Sequence, residues 1–249
     1  MVYWWYIICE VNPMIISGLQ KMTLLDFPGK VACTVFLQGC NFRCPFCHNS
    51  DLLGTEGPTP IPVETLLDFL KKRVGLLDGV CITGGEPTLQ KDLPELLRAI
   101  KSLGYLIKLD TNGNRPDVLK ALVTEGLVDY VAMDIKNCPA RYGDTAGVPG
   151  MTLTHLEESI RFLLEGSLDF EFRTTVMAEL HDAAGFTAMG KWLQSLSPDH
   201  KTPRFFLQPY VDRESVLVGG FTPPTAENLQ EMVDSIAPFV EQATIRGQD

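Results

Sequence analysis

Residues 39–49 read Gly-Cys-Asn-Phe-Arg-Cys-Pro-Phe-Cys-His-Asn and contain three cysteines with the spacing C-x3-C-x2-C. A tight loop can turn the thiols of Cys40, Cys44 and Cys47 toward one point, whereas a helix or a strand would scatter them. Three convergent thiolates make a site for a soft metal, and iron–sulfur clusters are held by cysteine thiolates. A cubane cluster with three protein ligands leaves one iron open to a substrate or a cofactor. The spacing therefore favours an iron–sulfur cluster that takes part in chemistry.

Two other interpretations of these cysteines stay open. A structural zinc site usually has four ligands, and His48 could supply the fourth, although its position directly after Cys47 is awkward for tetrahedral closure. The cysteines could also be ordinary buried or redox residues. A disulfide framework fits poorly, because the chain has seven cysteines, an odd number. That usage is typical of a reducing compartment.

The cysteine motif, with the aromatic Phe46 before its third cysteine, resembles the signature of the radical S-adenosylmethionine (SAM) enzymes. Several flanking segments resemble the glycyl-radical-enzyme activases within that superfamily. Those segments are residues 18–23 (GLQKMT), 26–30 (DFPGK), 36–39 (FLQG) and 48–49 (HN). Within the activases, the group that activates anaerobic ribonucleoside-triphosphate reductase is the most similar. The resemblance extends from about residue 16 to about residue 210.

The resemblance implies that Cys40, Cys44 and Cys47 hold a [4Fe–4S] cluster whose open iron binds SAM. It implies reductive cleavage of SAM and formation of a glycyl radical on a partner, an anaerobic ribonucleotide reductase. A low-potential donor such as flavodoxin or ferredoxin would supply the electron. Two alternatives keep the same motifs: activation of another glycyl radical enzyme, of the pyruvate formate-lyase type, and radical chemistry on a small molecule or peptide. A non-enzymatic zinc module is a third alternative.

Hydrophobic runs and helical periods alternate along the chain after the cysteines, and this pattern predicts a parallel sheet of βαβ units. About six units can be counted, fewer than the eight of a closed barrel. The resemblance implies the same fold, a partial (β/α)6 TIM-type barrel. We expect one such domain over residues 16–249. The predicted strands are 31–37, 79–83, 106–109, 130–135, 170–176 and 205–207, with a short last strand at 243–246.

Active residues of such barrels lie where strands end, so the motifs at those points are candidate SAM contacts. The second predicted strand ends at Thr-Gly-Gly-Glu-Pro-Thr, residues 83–88. Glycines let a backbone approach a ligand closely, although a glycine pair alone would indicate a turn. By resemblance, Gly84 and Gly85 contact the amino group of SAM. Glu86 is an anion suited to that ammonium or to stabilising the loop.

The next strand ends supply charged candidates. Asp110 opens an Asp-Thr-Asn-Gly segment that could be a simple turn, or by resemblance could help bind a monovalent cation near SAM. The resemblance assigns Asp134, Ile135 and Lys136 to the carboxylate and ribose of SAM, although an Asp–Lys pair can also be a solvated ion pair. Arg173 is the second candidate for the SAM carboxylate, or else pairs with Glu171 two residues earlier.

Two further residues are expected near the adenine of SAM, namely Phe46 and, less directly, Gln208. With Cys47 and His48, Phe46 completes the predicted cofactor contacts around the cysteine loop. The activases include members with a histidine after the fifth strand, but His181 lies in a displaced context and is given no such role. The remaining cysteines, Cys9, Cys33, Cys81 and Cys138, are predicted to be structural.

The formal net charge of −10 argues against broad binding to nucleic acid or to anionic membranes. Residues 1–13 include a short apolar run without a preceding Lys or Arg, too short to span a bilayer and unlike a signal peptide. We expect residues 1–15 to be an N-terminal extension outside the family core, with Met14 as an alternative start. An additional edge strand or a docking arm is the other interpretation of residues 1–13. A cytoplasmic location is expected.

Overall fold

The structure, a computed structural model, describes residues 14–54 and 59–247. One eight-stranded sheet organises this part of the chain, and the strands lie side by side in chain order. The strands are β1 (Ile16–Thr23), β2 (Ala32–Leu37), β3 (Gly79–Gly84), β4 (Leu106–Thr111), β5 (Tyr130–Asp134), β6 (Asp169–Val176), β7 (Phe205–Pro209) and β8 (Ala243–Ile245). β1 runs antiparallel to β2, and each later pair is parallel.

Helices connect the parallel strands. They are α1 (Val63–Lys71), α2 (Leu93–Ser102), α3 (Pro116–Thr124), α4 (Tyr142–Thr145), α5 (Thr154–Glu165), α6 (Ala183–Leu196) and α7 (Ala226–Ile236). α2 shows why they form, because Leu93, Leu97 and Ile100 recur at helical spacing and are fully buried. The predicted fold class, a partial TIM-type barrel, is confirmed.

β1 is not among the strands predicted from the sequence, the first of which begins at residue 31. Only Ile16, Ser17 and Thr23 of this strand are buried, while Gln20, Lys21 and Met22 face solvent. An edge strand that buries so few side chains carries no continuous apolar run, and this is the signal by which the parallel strands were found. The helical spacing of Leu66, Leu67 and Leu70 predicts a helix over residues 63–74, but α1 ends earlier, at Lys71, and the chain turns toward Gly75 with φ +79°.

The apolar core lies between the sheet and the helices and includes Cys33 and Cys138, whereas Cys81 points into the barrel, with Sγ 3.7 Å from Asp110 Oδ1. Cys33 and Cys81 are fully buried on β2 and β3, and Cys138 is nearly so, as predicted. Burial raises the pKa of Cys33 to about 12, so this thiol is inert at neutral pH. Cys9 and residues 1–13 of the predicted extension lie outside the described residues. Of that extension the structure describes Ile15 and Met14, the alternative start.

Because β2 to β8 are parallel, their carboxyl ends meet at one edge of the sheet. The cysteine loop follows β2 there, and the Gly-Gly, Asp-Thr-Asn-Gly and Asp-Ile-Lys segments lie at the ends of β3, β4 and β5. None of the helices that the structure describes is long and apolar enough to cross a membrane.

Candidate active site

A cavity of about 440 Å³ opens at this edge of the sheet, and Cys40, Cys44 and Cys47 line it together. The loop that carries them leaves β2 through Gly39, whose φ of +89° is a left-handed conformation that favours glycine. The Gly39 amide donates to the Leu52 carbonyl at 2.6 Å, and the Cys47 amide donates to the Cys44 carbonyl at 3.1 Å. The backbone therefore closes on itself and turns three thiols into one space.

The loop is fixed from one side by the segment after α4. The Arg43 amide donates to the Ala146 carbonyl at 3.0 Å, and the Cys44 thiol lies 3.6 Å from the same oxygen. Gly147 follows with a φ of +67°, and a Cβ there would lie 2.0 Å from the Arg43 carbonyl oxygen. Only glycine allows the backbones to approach this closely.

Changing Gly147 to Ala will therefore disturb the cysteine loop more than it disturbs its own turn. We expect a loss of about 2–5 kcal/mol in the free energy of unfolding, from the clash plus the left-handed strain, and a lower iron content after reconstitution. Gly150→Ala is the matched control, since Gly150 has a similar φ of +74° but nothing within 4 Å of its Cβ position. Urea unfolding and iron analysis of both variants check this, and equal losses would contradict it.

A second segment, residues 210–218 after β7, covers the other side of the cysteine loop. The Val218 amide donates to the Pro45 carbonyl at 2.8 Å, and the Ser50 hydroxyl donates to the Ser215 carbonyl at 2.6 Å. His48 Nε2 lies 2.7 Å from the Val211 carbonyl oxygen, and its ring stacks on Tyr210. These contacts orient the His48 ring at the wall of the cavity.

Burial raises the pKa of all three cavity cysteines, that of Cys44 to about 11. The ammonium of Lys136 acts in the opposite direction on each of them. Metal ligation requires thiolates, so the burial that keeps water out also makes deprotonation harder, and a nearby cation partly offsets this. As the side chains stand, no three His, Cys, Asp or Glu groups among the described residues converge closely enough to hold a single metal ion.

Gly84 and Gly85 line the cavity, but the protein itself also requires glycine at both positions. A Cβ on Gly84 would lie 2.2 Å from the Leu37 carbonyl oxygen, and one on Gly85 would lie 2.1 Å from that of Gly39. The Gly85 amide donates to Leu37 and the Glu86 amide to Gly39, at 2.8 and 2.7 Å. The glycine pair therefore seats the end of β3 against the base of the cysteine loop.

Glu86 is fully buried, and neutral donors hold both its oxygens. Oε1 accepts from the Thr88 amide at 3.1 Å, from the Thr88 hydroxyl, and from the Thr111 hydroxyl at 2.7 Å. Oε2 accepts from the Asn112 amide at 2.6 Å. Burial raises the pKa of this carboxyl despite these donors. Of the two roles predicted for Glu86, these contacts favour stabilisation of the loop.

A chain of alternating charges runs from β4 to β6 and forms part of the cavity wall. Arg173 donates from Nε to Asp134 Oδ1 at 2.5 Å and from Nη2 to Asp110 Oδ2 at 3.0 Å. Lys136 Nζ donates to Asp134 Oδ2 at 2.8 Å, and Lys108 Nζ to Asp110 Oδ1. Burial alone would raise the pKa of both carboxyls, but the adjacent cations hold both below their ordinary range. Both aspartates are therefore ionised at neutral pH.

The alternative pairing of Arg173 with Glu171 is wrong. Arg246 binds both oxygens of Glu171, at 2.7 and 2.9 Å, and the Tyr130 hydroxyl donates to it at 2.8 Å. Because Arg246 and Tyr130 occupy the oxygens of Glu171, Arg173 instead pairs with Asp110 and Asp134 at the carboxyl ends of the strands.

The cavity brings together most of the residues predicted from the sequence. Those that line it are Cys40, Cys44, Phe46, Cys47, His48, Gly84, Gly85, Glu86, Asp110, Asp134, Lys136, Arg173 and Gln208. Ile135 does not line it, because its side chain points into the core and is fully buried. His181 is also outside, with Nε2 2.9 Å from the Lys136 carbonyl oxygen. The role of each residue toward a cofactor stays a prediction.

The site residues predicted from the sequence do not include Lys108, Asn112 or Arg213. Lys108 stands at a fully buried position of β4 between Ile107 and Leu109, and a lysine inside an apolar strand was the available signal. Asn112 donates through Nδ2 to Asn41 Oδ1 at 2.8 Å and so joins the end of β4 to the cysteine loop. Arg213 lines the cavity from the covering segment.

Comparison with known proteins agrees with this geometry. A family model described as the Radical SAM superfamily matches residues 34–184. A protein of Methanocaldococcus jannaschii named as a glycyl-radical enzyme activating enzyme is 40% identical over 125 residues, which are 49% of this chain and 50% of the relative. The pyruvate formate-lyase-activating enzyme of Clostridium pasteurianum is 34% identical over 131 residues, 49% of this chain and 52% of that enzyme. The chain thus matches about half the length of these relatives.

Solved structures share the fold. A domain of pyruvate-formate lyase-activating enzyme from Bacteroides vulgatus superposes with a TM-score of 0.54 at 21% identity, covering 68% of this chain and 99% of that domain. Streptococcus suis SuiB bound to S-adenosylmethionine gives a TM-score of 0.62 at 14% identity, covering 84% of this chain and 48% of SuiB. The resemblance stated from the cysteine motif is confirmed, and the relatives include activating enzymes. The chain belongs to the radical SAM superfamily.

Proposed function

We propose that this protein reductively cleaves SAM at a [4Fe–4S] cluster and generates a glycyl radical on a partner enzyme, an anaerobic ribonucleoside-triphosphate reductase. Family membership implies the cluster and SAM, and the activating enzymes among the relatives support the glycyl radical. One observation carries the proposal: the three thiols and the strand-end motifs of β3, β4 and β5 line a single cavity.

The residues present fit the cluster and SAM. Cys40, Cys44 and Cys47 are free thiols on one loop, and thiolates are the ligands that iron–sulfur clusters require. The rest of the cavity wall offers what a zwitterionic amino acid needs, namely cationic Lys136 and Arg173 for a carboxylate and the backbone of Gly84–Gly85 for an ammonium. Phe46, only 4% exposed, presents an apolar surface suited to adenine.

Held by Cys40, Cys44 and Cys47 and reduced by the external donor, a [4Fe–4S] cluster would supply the electron for cleavage of SAM, and with it the radical chemistry that removes a hydrogen atom from a glycine Cα. The chain's own residues orient and enclose this chemistry. Arg173 and Lys136 are held in place by Asp134 and are directed at the cavity. The 210–218 segment shields the cysteine loop from water on one side.

A protein partner is supported by the surface beside the cavity. Val211, Leu217 and Val218 of the covering segment are each about half exposed, at 48%, 43% and 51%. Exposed apolar side chains next to a site suit contact with a protein. We further propose a cytoplasmic location and a flavodoxin or ferredoxin as donor. The monovalent cation predicted beside Asp110 is not part of this proposal, because the Lys108 ammonium already contacts that carboxylate.

The alternative substrates use the same cavity. The relative from Clostridium pasteurianum is a pyruvate formate-lyase-activating enzyme, so activation of that type of enzyme is the second candidate. Incubation of the reconstituted, reduced protein with SAM and each candidate glycyl radical enzyme separates them. A glycyl radical signal in electron paramagnetic resonance (EPR) spectra on the reductase alone supports the proposal. A signal on the lyase alone favours the alternative, and no signal on either points to a small molecule or peptide.

Replacing Cys40, Cys44 or Cys47 by Ala will remove the cluster and abolish 5′-deoxyadenosine formation, because each thiol is one of only three ligands. The reconstituted protein should be brown, and SAM should perturb the EPR signal of its reduced cluster. Cys138→Ala is the control, since Cys138 is buried away from the cavity and should keep both properties. A colourless protein that binds zinc, or cluster formation that survives loss of a cavity cysteine, would overturn the proposal.

A further inference from the structure

Lys108 places a positive charge inside the barrel, where charged side chains are rarely found without a role. Only 1% of this residue is exposed. Side chains alternate between the two faces of a strand, so Lys108 and Asp110 of β4 both point into the barrel while Ile107 and Leu109 point to the helices. Nζ of Lys108 contacts Asp110 Oδ1 and lies 3.9 Å from Cys81 Sγ.

Asp110 therefore has a cationic donor on each oxygen, Lys108 on Oδ1 and Arg173 on Oδ2. The connected group, which we call the rim network, comprises Lys108, Asp110, Arg173, Asp134 and Lys136. Three of its members are cations and two are carboxylates, so it carries one excess positive charge. Asp26 and Glu86 also line the cavity, but among the described residues their hydrogen bonds come from neutral donors and no ion pair joins them to the rim network. Glu171 is bound by Arg246.

That excess charge is what an incoming carboxylate requires. A buried ion is stable only when it is paired, and a network of two cations and two carboxylates would offer a carboxylate no net compensation. Without Lys108, Asp110 would also lose one of its two cationic donors. The neutral Cys81 thiol, 3.7 Å from Oδ1, would remain there without compensating the charge, so a cation from solution would be needed at the same oxygen.

We propose that the ammonium of Lys108 is a built-in counterion of Asp110, so that this protein binds SAM without a monovalent metal cation at that carboxylate. Lys108 is a positioning residue: it acts through Asp110 and Arg173 and does not line the cavity itself. The inference rests on the proposed function, because it concerns SAM binding in the same cavity.

The first test uses the reconstituted wild-type protein. SAM affinity is measured in potassium chloride, sodium chloride and tetramethylammonium chloride at equal ionic strength, since unequal screening would change the comparison. Tetramethylammonium is too large to enter a buried carboxylate site. We expect dissociation constants that agree within about twofold, and melting temperatures without SAM that agree within about 2 °C. A gain of about fivefold or more in potassium would overturn the inference.

The second test makes the protein depend on a cation. Lys108→Ala leaves a space beside Asp110 Oδ1, and in tetramethylammonium its SAM affinity should fall by about tenfold or more. Relative to tetramethylammonium, potassium or ammonium should raise the SAM affinity of this variant by at least about threefold. Either cation should also raise its melting temperature without SAM. In Lys108→Ala/Asp110→Asn the carboxylate is gone, so neither cation should have an effect. The double variant also removes the Asp110 charge that Lys108→Ala leaves without its ammonium. It should therefore fold even if Lys108→Ala does not, and its lack of a cation effect can still be measured.

Lys101→Met is the matched control. Lys101 is partly buried and paired with Asp129 at 2.7 Å, outside the cavity, so its loss should not create any cation dependence. A Lys108→Ala protein weakened equally in all three salts would show a purely structural role and would overturn the inference. Failure of wild-type protein to bind SAM in every salt would instead overturn the proposed function, so the two failures are distinguishable.

Discussion

Replacing Arg173 by Met will lower the free energy of unfolding by about 3–5 kcal/mol, because the change leaves buried carboxylates without their shared partner. Arg173 joins Asp110 to Asp134, and its side chain is only 15% exposed. Each aspartate would keep one lysine, yet each would lose a charge-assisted hydrogen bond. Under the proposed function, SAM affinity should also fall by about tenfold or more, since such bonds contribute about 1.5–3 kcal/mol each. Urea unfolding and SAM titration measure the two effects.

Arg98→Met provides the comparison for this change. Arg98 also bridges two carboxylates, Glu95 and Glu125, but its side chain is 49% exposed and water can replace the lost contacts. We expect a cost of no more than about 1 kcal/mol and unchanged SAM affinity. If the two variants lose similar stability, the rim network is not the stabilising unit described above. If Arg173→Met unfolds more easily but binds SAM normally, Arg173 stabilises the barrel without serving the ligand.

The sequence could predict the strand ends because parallel strands are buried on both faces and appear as short apolar runs. Each motif follows such a run directly, so counting runs also placed the Gly84–Gly85 pair, Asp110 and Asp134 at one edge of the sheet. The same reasoning cannot find an edge strand such as β1, whose exposed Gln20 and Lys21 resemble loop residues. Element order and the edge that holds the site therefore follow from patterning alone.

The pattern of apolar runs does not predict which side chains pair when they are distant in the sequence. The partner of Arg173 depends on Arg246, which directly follows β8 and takes both oxygens of Glu171. The sequence shows that Glu171 and Arg173 share a strand face, but it does not show that a third residue competes for one of them. The role of Gly85 could not be predicted from the sequence for the same reason. Gly85 was expected to let a ligand approach the backbone, whereas the structure requires glycine there because a Cβ would collide with the Gly39 carbonyl.

Replacing Glu86 by Ala should be the other strongly destabilising change. It leaves buried donors of Thr88, Thr111 and Asn112 without an acceptor, each costing about 1–3 kcal/mol if water does not reach it. We expect a total loss of about 3–5 kcal/mol, since part of the segment can relax. Iron retention should fall too, because Asn112 also donates to Asn41 in the cysteine loop.

Glu86→Gln removes the charge of this side chain while keeping its shape, so it shows how much of the Glu86→Ala loss is due to the charge. The amide keeps one acceptor oxygen but turns an NH2 group toward donors, so we expect about half of the loss caused by Ala. Glu95→Ala on the exposed face of α2 is the control, with an effect within about 0.5 kcal/mol. Urea unfolding orders the three variants. A loss of less than about 1 kcal/mol for Glu86→Ala would mean that water satisfies these donors. Glu86 would then be available to the ammonium of SAM, the alternative role that its buried contacts argue against.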